Sequence, residues 1–230
     1  MRLSIVIPVL NEAHHLTAFL APLAPLRETG HEIIVVDGGS GDGTAQCAQS
    51  YADRVLTSSR GRARQMNTGA AASSGDVLLF LHADSALPEN ATQLIETAMK
   101  HAGRRWGRFN VRLSSNRRTL RLVAGLMNLR SQLTGVATGD QGIFVERKLF
   151  ESIGGFPDIP LMEDVALSAR LKQIERPICL GATITTSSRR WEKHGVWPTI
   201  WLMWRLRYAY WRGADPVTLA RIYYPDIERG

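Results

Sequence analysis

The amino-acid sequence predicts an α/β protein built on a doubly wound, mostly parallel sheet. Continuous apolar runs of strand length, such as EIIVVD at 32–37, are typical of strands buried on both faces of a parallel sheet. Segments with helical spacing of apolar residues follow these runs, and this alternation predicts right-handed crossovers. A chain of 230 residues, 44% of them hydrophobic, is long enough to bury a substantial core.

The first two strands are predicted at LSIVIPV (3–9) and EIIVVD (32–37). Asn11 is placed to cap the helix between them, and Pro22 and Pro25 are expected to kink or end that helix. After the second strand, GGSGDGT forms a turn and Thr44 opens a short helix.

The pattern continues with a third strand at RVLTSS and a helix within GRARQMNTGAAASS. A fourth strand, DVLLFLHAD, precedes a helix in ENATQLIETAMKH. Beyond about residue 104 the alternation loosens, and strand-like pieces occur at RFNVRLS and GIFVE.

Acidic residues lie at or just past three of the predicted strand ends. Glu12 follows the first strand, Asp37 closes the second and Asp84 closes the fourth. Ligands of open α/β sheets bind at the carboxyl ends of the strands. Like charges gathered on one rim raise the energy unless a cation or a donor-rich ligand compensates them, so these acids indicate a site.

Composition narrows the class of protein. Cys47 and Cys179 are far apart and lack metal-ligand spacing, which predicts free thiols in a reducing compartment. The opening run MRLSIVIPVLNE is too short and too strand-like for a signal peptide, and we expect a cytoplasmic protein.

The positive charge is concentrated in one part of the chain. Residues 97–139 contain no Asp or Glu, and the chain as a whole carries a net charge of +7. Such a block is compatible with four surroundings: solvent, nucleic acid, anionic lipid or a phosphorylated substrate. Trp106 and Phe109 are its only aromatic side chains, so stacking on nucleic acid is not favoured.

Several motifs, in order, resemble those of the family 2 glycosyltransferases, which have a GT-A fold. They are SIVIPVLNE, EIIVVDGGSGDGT, GRARQMNTGA, LLFLHADS, TGDQGIFVERKLFESIGGFPDIPLMEDVALSARL and SSRRWEKHG. The resemblance implies a single domain over 1–230, with a donor half at 1–103, an acceptor half at 104–190 and a C-terminal helical segment at 191–230. The chain most resembles a short, stand-alone subgroup linked in some annotations to arsenosugar biosynthesis.

The resemblance implies a nucleotide-sugar donor, UDP- or GDP-linked, with Pro8, Glu12 and Asp37 on the nucleoside side. The family often has DDGS where this chain has DGGS, and Asp42 is a candidate for the second acid. Arg60, Arg64 and Asn67 fall at i, i+4 and i+7, and we expect them to share one helix face that binds the diphosphate.

The sequence HAD at 82–84 resembles the DXD metal motif of the family. Asp84 would hold Mg²⁺ or Mn²⁺ on the diphosphate. We expect His82 to point back into the sheet, and His194 is a candidate for a third ligand.

The acceptor half contains the remaining candidate residues. Glu163 and Asp164 resemble the ED pair of the family, and Asp164 matches its catalytic base. Asp140 and Gln141 resemble the acceptor-side loop, and Trp191 matches an aromatic near the acceptor.

The C-terminal segment predicts an amphipathic aromatic helix over 197–211. Trp197, Trp201, Trp204, Tyr208 and Trp211 recur at spacings of 4, 3, 4 and 3, which places them in one stripe. A helix that is apolar nearly all round buries both faces, so we expect one face on the body and the other in a homodimer seam. Peripheral contact with the inner face of a membrane is the alternative.

These features together predict a metal-dependent, inverting glycosyl transfer to an acceptor hydroxyl that the sequence does not name. One alternative is a non-enzymatic basic module that binds anionic lipid or nucleic acid. Another is a dinucleotide-dependent oxidoreductase, prompted by GGSGDG. That turn follows the second strand, however, and lacks GxGxxG spacing after the first.

Overall fold

Strands and helices alternate through the first hundred residues, as the sequence predicts. The structure, a computed structural model, describes residues 1–224. Its strands are β1 (Leu3–Val9), β2 (Glu32–Asp37), β3 (Arg54–Thr57), β4 (Val77–Phe80), β5 (Ser85–Ala86), β6 (Trp106–Leu113), β7 (Ile143–Glu146) and β8 (Ile178–Thr186).

Helices lie in each segment that the sequence predicts to be helical, and further helices occur in the second half of the chain. They are α1 (Ala13–Leu20), α2 (Ala24–Glu28), α3 (Thr44–Ala48), α4 (Arg62–Ala72), α5 (Ala91–Ala102), α6 (Arg118–Thr134), α7 (Arg147–Ser152), α8 (Glu163–Ile174), α9 (Arg189–His194), α10 (Val196–Trp211) and α11 (Pro216–Tyr223). Ala21–Leu23 and Gly139–Gln141 form 3₁₀ turns. Pro22 and Pro25 lie where α1 gives way to a 3₁₀ turn and then to α2, which confirms that they interrupt this helix.

The strands within residues 1–224 form one sheet in the order β3-β2-β1-β4-β7-β6-β8-β5. The first four pair in parallel, and β6 is parallel to β8. Strand β7 is antiparallel to both β4 and β6, and β5 is antiparallel to β8. The predicted mostly parallel sheet is therefore confirmed.

The core lies on both faces of this sheet. In β1, Ile5 and Ile7 join an apolar cluster with α1, whereas Val6 points to the other face and meets α4. Helix α4 packs so closely there that a Cβ on Gly69 would lie 2.4 Å from Cγ1 of Val6. A glycine is required because any side chain would push the helix away from the sheet.

Some local predictions are corrected by the structure. Asn11 does not cap α1, because it adopts a left-handed backbone (φ 53°) and its Oδ1 accepts a hydrogen bond from Gly41. Glu12 is the residue before α1 instead. Strand β4 ends at Phe80, so His82 and Asp84 lie in the turn that leads to β5.

Within the described residues, the C-terminal segment contains the end of α9 followed by α10 and α11. Leu202, Leu206 and Tyr210 of α10 pack against Leu161 and α11. This agrees with the prediction that the face opposite the aromatic stripe packs on the body of the protein. The aromatic stripe on its other side faces solvent. The last part of the predicted segment, 225–230, lies outside the described residues. None of the helices within 1–224 combines the length and apolar character needed to cross a bilayer.

Candidate active site

A cavity of about 1320 Å³ opens at the carboxyl ends of β1 and β4 and extends between α6, α10 and α11. Many of the residues predicted from the sequence line it: Pro8, Glu12, Arg60, Asp84, Asp140, Glu163, Asp164 and Trp191. Others do not belong to the lining: Asp37, Arg64, Asn67, Gln141 and His194. Residues from 1–103 and from the later part of the chain thus meet around one space.

The first wall of the cavity follows β1. Pro8 lies in the last part of that strand, and Glu12 is half-buried beyond it. Burial raises the pKa of Glu12, Arg189 opposes this increase, and the negative charge of Asp84 adds to it. Glu12 and Asp84 therefore approach closely enough to repel each other, as the arrangement of acids at the strand ends predicts.

Asp37 and Asp42 organise the loop after β2. The buried Asp37 carboxylate accepts hydrogen bonds from the backbone and hydroxyl of Ser40. Asp42 accepts hydrogen bonds from the backbone N–H groups of Ala13 and Thr44, at 3.1 and 3.0 Å. Both acids are thus engaged within the loop.

The prediction that Arg60, Arg64 and Asn67 share one helix face towards the diphosphate is wrong. Arg60 precedes α4, which begins at Arg62. Nε of Arg64 lies 2.8 Å from the Asp158 carboxylate, outside the cavity. Asn67 bonds both to the carbonyl oxygen and to the backbone N–H of Phe156, so its amide holds a loop.

Arg62 and Gln65 occupy the face of α4 that does line the cavity. Gln65 donates to the carbonyl oxygens of Val9 and Val36, at 2.7 and 2.9 Å, and so joins the ends of β1 and β2. Burial alone would lower the pKa of Arg62, but neighbouring groups that include Glu163 raise it overall. Their i, i+3 spacing at the start of the helix is the signal that could have identified them.

Asp84 is exposed on the cavity side of the turn after β4. Its Oδ1 lies 3.2 Å from the hydroxyl of Ser85 and 3.4 Å from that of Thr186. Because β5 pairs with β8 at Ser85 and Thr186, the far edge of the sheet fixes this turn.

Residues 1–224 contain no group of three or more His, Cys, Asp or Glu side chains placed to hold a metal ion. Mg²⁺ commonly takes one or two protein carboxylates together with substrate phosphates, and hard divalent ions favour oxygen ligands. The accessible Asp84 carboxylate fits an ion of this kind that arrives with a diphosphate. His194 is exposed at the end of α9 and lies outside the cavity lining.

The expectation that His82 points back into the sheet is wrong. Its ring lines the cavity, and its Nδ1 lies 3.4 Å from Oδ1 of Asp140. The ring packs on Gly139, where a Cβ would lie 2.4 Å from Cε1 of His82. His82 lowers the pKa of Asp140 and opposes the effect of burial, which raises it.

Glu163 and Asp164 begin α8. Asp164 accepts hydrogen bonds from the backbone N–H groups of Gly139 and Val165, at 2.8 and 2.7 Å. Burial nevertheless raises the pKa of Asp164, and Asp140 raises it further. Burial also raises the pKa of Glu163, and the negative charge of Asp164 adds to this increase.

Gln141 and Trp191 occupy different environments. The Gln141 side chain is buried, and its Oε1 accepts a hydrogen bond from the backbone of Thr138 at 3.1 Å. It therefore stabilises the turn that carries Asp140. Trp191 is partly buried against α6 and also lines the cavity.

The sequence of residues 4–152 matches the model of the family described as Glycosyl transferase family 2. The chain belongs to this family. A comparison with curated protein sequences gave no significant match.

Solved structures show the same GT-A fold. TarS from S. aureus in complex with UDP-GlcNAc is 17% identical, with a TM-score of 0.68 over 81% of this chain and 58% of that one. The mannosyltransferase PcManGT from Pyrobaculum calidifontis, in complex with GDP-Man and Mn²⁺, is 20% identical, with a TM-score of 0.62 over 90% and 60%. Glucosyl-3-phosphoglycerate synthase from Mycobacterium tuberculosis, in complex with Mn²⁺, UDP and glucosyl-3-phosphoglycerate, is 19% identical, with a TM-score of 0.55 over 79% and 70%. The chain thus spans less than two thirds of the length of TarS and PcManGT.

Proposed function

We propose that this family 2 protein transfers a sugar from a nucleoside-diphosphate sugar to an acceptor hydroxyl, with inversion at the anomeric carbon and with a divalent cation. The observation that carries the proposal is that Asp84 and Asp164 line one cavity, from the donor and the acceptor half respectively. Neither alternative function, the basic module or the oxidoreductase, gives these two carboxylates a common purpose.

A UDP- or GDP-linked donor is supported by two kinds of observation. The similar structures bind UDP-GlcNAc, GDP-Man or UDP, in two cases with Mn²⁺. In this chain, Arg60 and Arg62 add positive charge to the cavity wall near the start of α4, where a diphosphate is favoured. Mg²⁺ or Mn²⁺ held by Asp84 would neutralise charge on the leaving diphosphate.

Asp164 is the proposed base. The acceptor oxygen attacks the anomeric carbon, the bond from that carbon to the phosphate oxygen breaks, and its electron pair leaves with the nucleoside diphosphate. The acceptor proton passes to the Asp164 carboxylate. A raised pKa suits this task because it brings the carboxylate closer in basicity to the working pH, while the N–H groups of Gly139 and Val165 hold its orientation.

The proposal includes a cytoplasmic location. Cys47 and Cys179 are both free, as the sequence predicts. Free thiols are typical of a reducing environment, which supports the cytoplasm.

Calorimetric titration of UDP and of GDP, with and without Mn²⁺, tests the proposal. The wild type should bind one of them in a manganese-dependent manner, and Asp84→Ala should lose that binding. Glu89→Ala is the matched control, because Glu89 is an exposed carboxylate of the same region outside the cavity lining. Failure of the wild type to bind either nucleotide, or equal binding by Asp84→Ala, would contradict the proposal.

A further inference from the structure

Helices α6 and α10 leave large apolar side chains in solvent. On α10 these are Trp197, Trp201, Trp204, Tyr208 and Trp211, each 63–76% exposed. On α6 they are Leu122, Leu126, Leu129 and Leu133, each 51–68% exposed. We call these side chains the apolar rim. A concentration of exposed apolar residues on neighbouring elements marks an interaction surface.

The apolar rim borders the mouth of the cavity. Leu126, Leu129 and Leu133 of α6, and Trp204 of α10, are exposed and also belong to the cavity lining. The two helices are neighbours, because Leu120, Val123 and Ala124 of α6 form one apolar cluster with Val196 and Ile200. A molecule that enters the cavity from this side therefore passes between leucines and a tryptophan.

The charged side chains on the two helices of the apolar rim have one sign, and the acids nearest α10 in the sequence are Glu192 and Asp215 beyond its two ends. Neither 97–139 nor 193–214 contains an Asp or Glu. Exposed arginines flank both helices: Arg117, Arg118 and Arg121 at the start of α6, and Arg205 and Arg212 on and after α10. A second copy of the same face would bring arginines against arginines, whereas an anionic lipid surface complements them. Tryptophan and arginine together are typical of helices that lie in the membrane interface.

The cavity lining changes from apolar to polar with depth. Arg130 lies one turn from Leu126 and from Leu133 on the same side of α6 and lines the cavity. Its Nε and Nη2 are buried and have no hydrogen-bond partner within residues 1–224. Burial lowers the pKa of Arg130, and the nearby negative charges of Asp164 and Asp140 offset only part of this decrease. The cavity thus has apolar side chains at its mouth, and deeper inside it has two guanidinium nitrogens without hydrogen-bond partners and a carboxylate. This order matches a molecule with a polar head and an apolar chain.

We infer that the apolar rim docks on an anionic lipid bilayer and that the cavity admits an amphiphilic acceptor from it, with the hydroxyl-bearing head near Asp164 and the apolar chain along the leucines of α6. This inference rests on the proposed glycosyl transfer and adds the class of acceptor to it.

Vesicle co-sedimentation tests the docking surface. We expect the wild type to bind phosphatidylcholine vesicles that contain roughly 30% phosphatidylglycerol, whose negative surface potential attracts basic segments. It should bind pure phosphatidylcholine more weakly. The triple variant Trp197→Gln, Trp201→Gln, Trp211→Gln removes rim side chains that do not line the cavity. It should lower the partition coefficient about tenfold or more. The control Ile174→Gln removes an exposed apolar side chain on α8 and should have no effect.

The outcomes separate docking from its rival and from the proposed function. No vesicle binding by the wild type, or equal binding by the triple variant, overturns the inference. A dimer of the wild type that the triple variant abolishes, without vesicle binding, assigns the apolar rim to self-association. Vesicle binding by a protein that binds neither UDP nor GDP would instead contradict the proposed function.

A second titration tests the acceptor class. Octyl glucoside below its micellar concentration is compared with methyl glucoside, which has the same head without the chain. We expect binding of the octyl compound alone, retained by the tryptophan variant and lost in Leu126→Asn, Leu129→Asn. Equal binding of both glucosides, or of neither, overturns the inferred amphiphile.

Discussion

Glu32 at the amino ends of the parallel strands and the pair Glu12 and Asp84 beyond their carboxyl ends are in contrasting environments. At the amino ends, Glu32 of β2 is almost completely buried and accepts hydrogen bonds from Ser4 at 2.6 Å and from the backbone and hydroxyl of Ser74 at 3.0 and 3.1 Å. At the carboxyl ends, Glu12 and Asp84 repel each other across an open cavity. The Glu32 carboxylate has hydrogen-bond partners within the protein, whereas Glu12 and Asp84 line a cavity that a ligand can enter.

The pKa values follow this contrast. Burial alone would raise the pKa of Glu32, but the hydrogen bonds from Ser4 and Ser74 outweigh it and lower the pKa. At the cavity, burial prevails for Glu12, Glu163 and Asp164, whose pKa values are raised. Asp140 differs, because His82 and nearby arginines outweigh burial and lower its pKa. Groups whose charged form is disfavoured in the free protein are those that gain most from a cation or a proton donor, so the raised values are typical of a functional site.

The largest expected effect is that of Asp164→Asn. Gly139 donates to Oδ2 of Asp164 and Val165 to Oδ1, so the amide keeps an oxygen for one of these N–H groups but cannot take the acceptor proton. We expect transfer to fall by about 10²–10⁴ with the nucleotide Kd unchanged. The release of nucleoside diphosphate from the sugar donor measures the rate. Since the pKa of Asp164 lies above 3.8, the wild-type rate should decline as the pH falls through that raised value. Joint loss of nucleotide binding and transfer would show that Asp164 is structural.

The second-largest expected effect is a loss of stability on changing Glu32, at the amino ends of the strands. Glu32→Ala should lower the free energy of unfolding by about 3 kcal/mol at pH 7, because it leaves the donors of Ser4 and Ser74 without an acceptor and Arg54 without its ion pair. Because the folded-state pKa is lowered, the stabilising contribution is present above pH 4.5 and is lost as the pH falls through the lowered value. Urea unfolding at pH 7 and in acid measures both. Glu32→Gln keeps one acceptor and should lose less than Glu32→Ala; equal losses would contradict the role of the network.

The smallest expected effect has the opposite sign. Glu163→Gln removes a buried charge beside Asp164, and we expect it to stabilise the fold by about 1 kcal/mol at neutral pH. A raised folded-state pKa means that the unfolded chain loses its proton first, so the gain should be present above the raised pKa and vanish below pH 4.5. The control Glu151→Gln breaks an exposed pair with Arg147 and should change stability very little. A destabilised Glu163→Gln would contradict the contrast between the two ends of the sheet.

The sequence predicts the sheet well because its signal is local. The continuous apolar run of β2 can be satisfied only between two packed layers, and the order of strands and helices limits the topology. The positions of Glu12, Asp84 and Asp164 on one cavity follow from the same argument together with the family resemblance.

The parts of the site that the sequence did not predict depend on tertiary packing. Arg64 and Asn67 share a helix face, but the loop that contains Phe156 and Asp158 covers that face, and the neighbouring face with Arg62 and Gln65 meets the cavity. Periodicity gives the residues of a face and not the direction in which it points. In the sequence, Arg130 is one of many arginines in the basic block of residues 97–139, and its position on the cavity depends on the tertiary packing of α6.

The pairing of β5 with β8 fixes the turn that carries Asp84, and its residues are about a hundred positions apart in the chain. Strand β8 begins at Ile178, beyond the family-matched region that ends at residue 152. The two halves are therefore not interchangeable modules. A chimaera that keeps residues 1–103 and receives a foreign second half keeps the turn of Asp84 in place only if the new part supplies an equivalent edge strand. In evolution, a change of acceptor would then be easier through the helices at the cavity mouth than through exchange of the whole half.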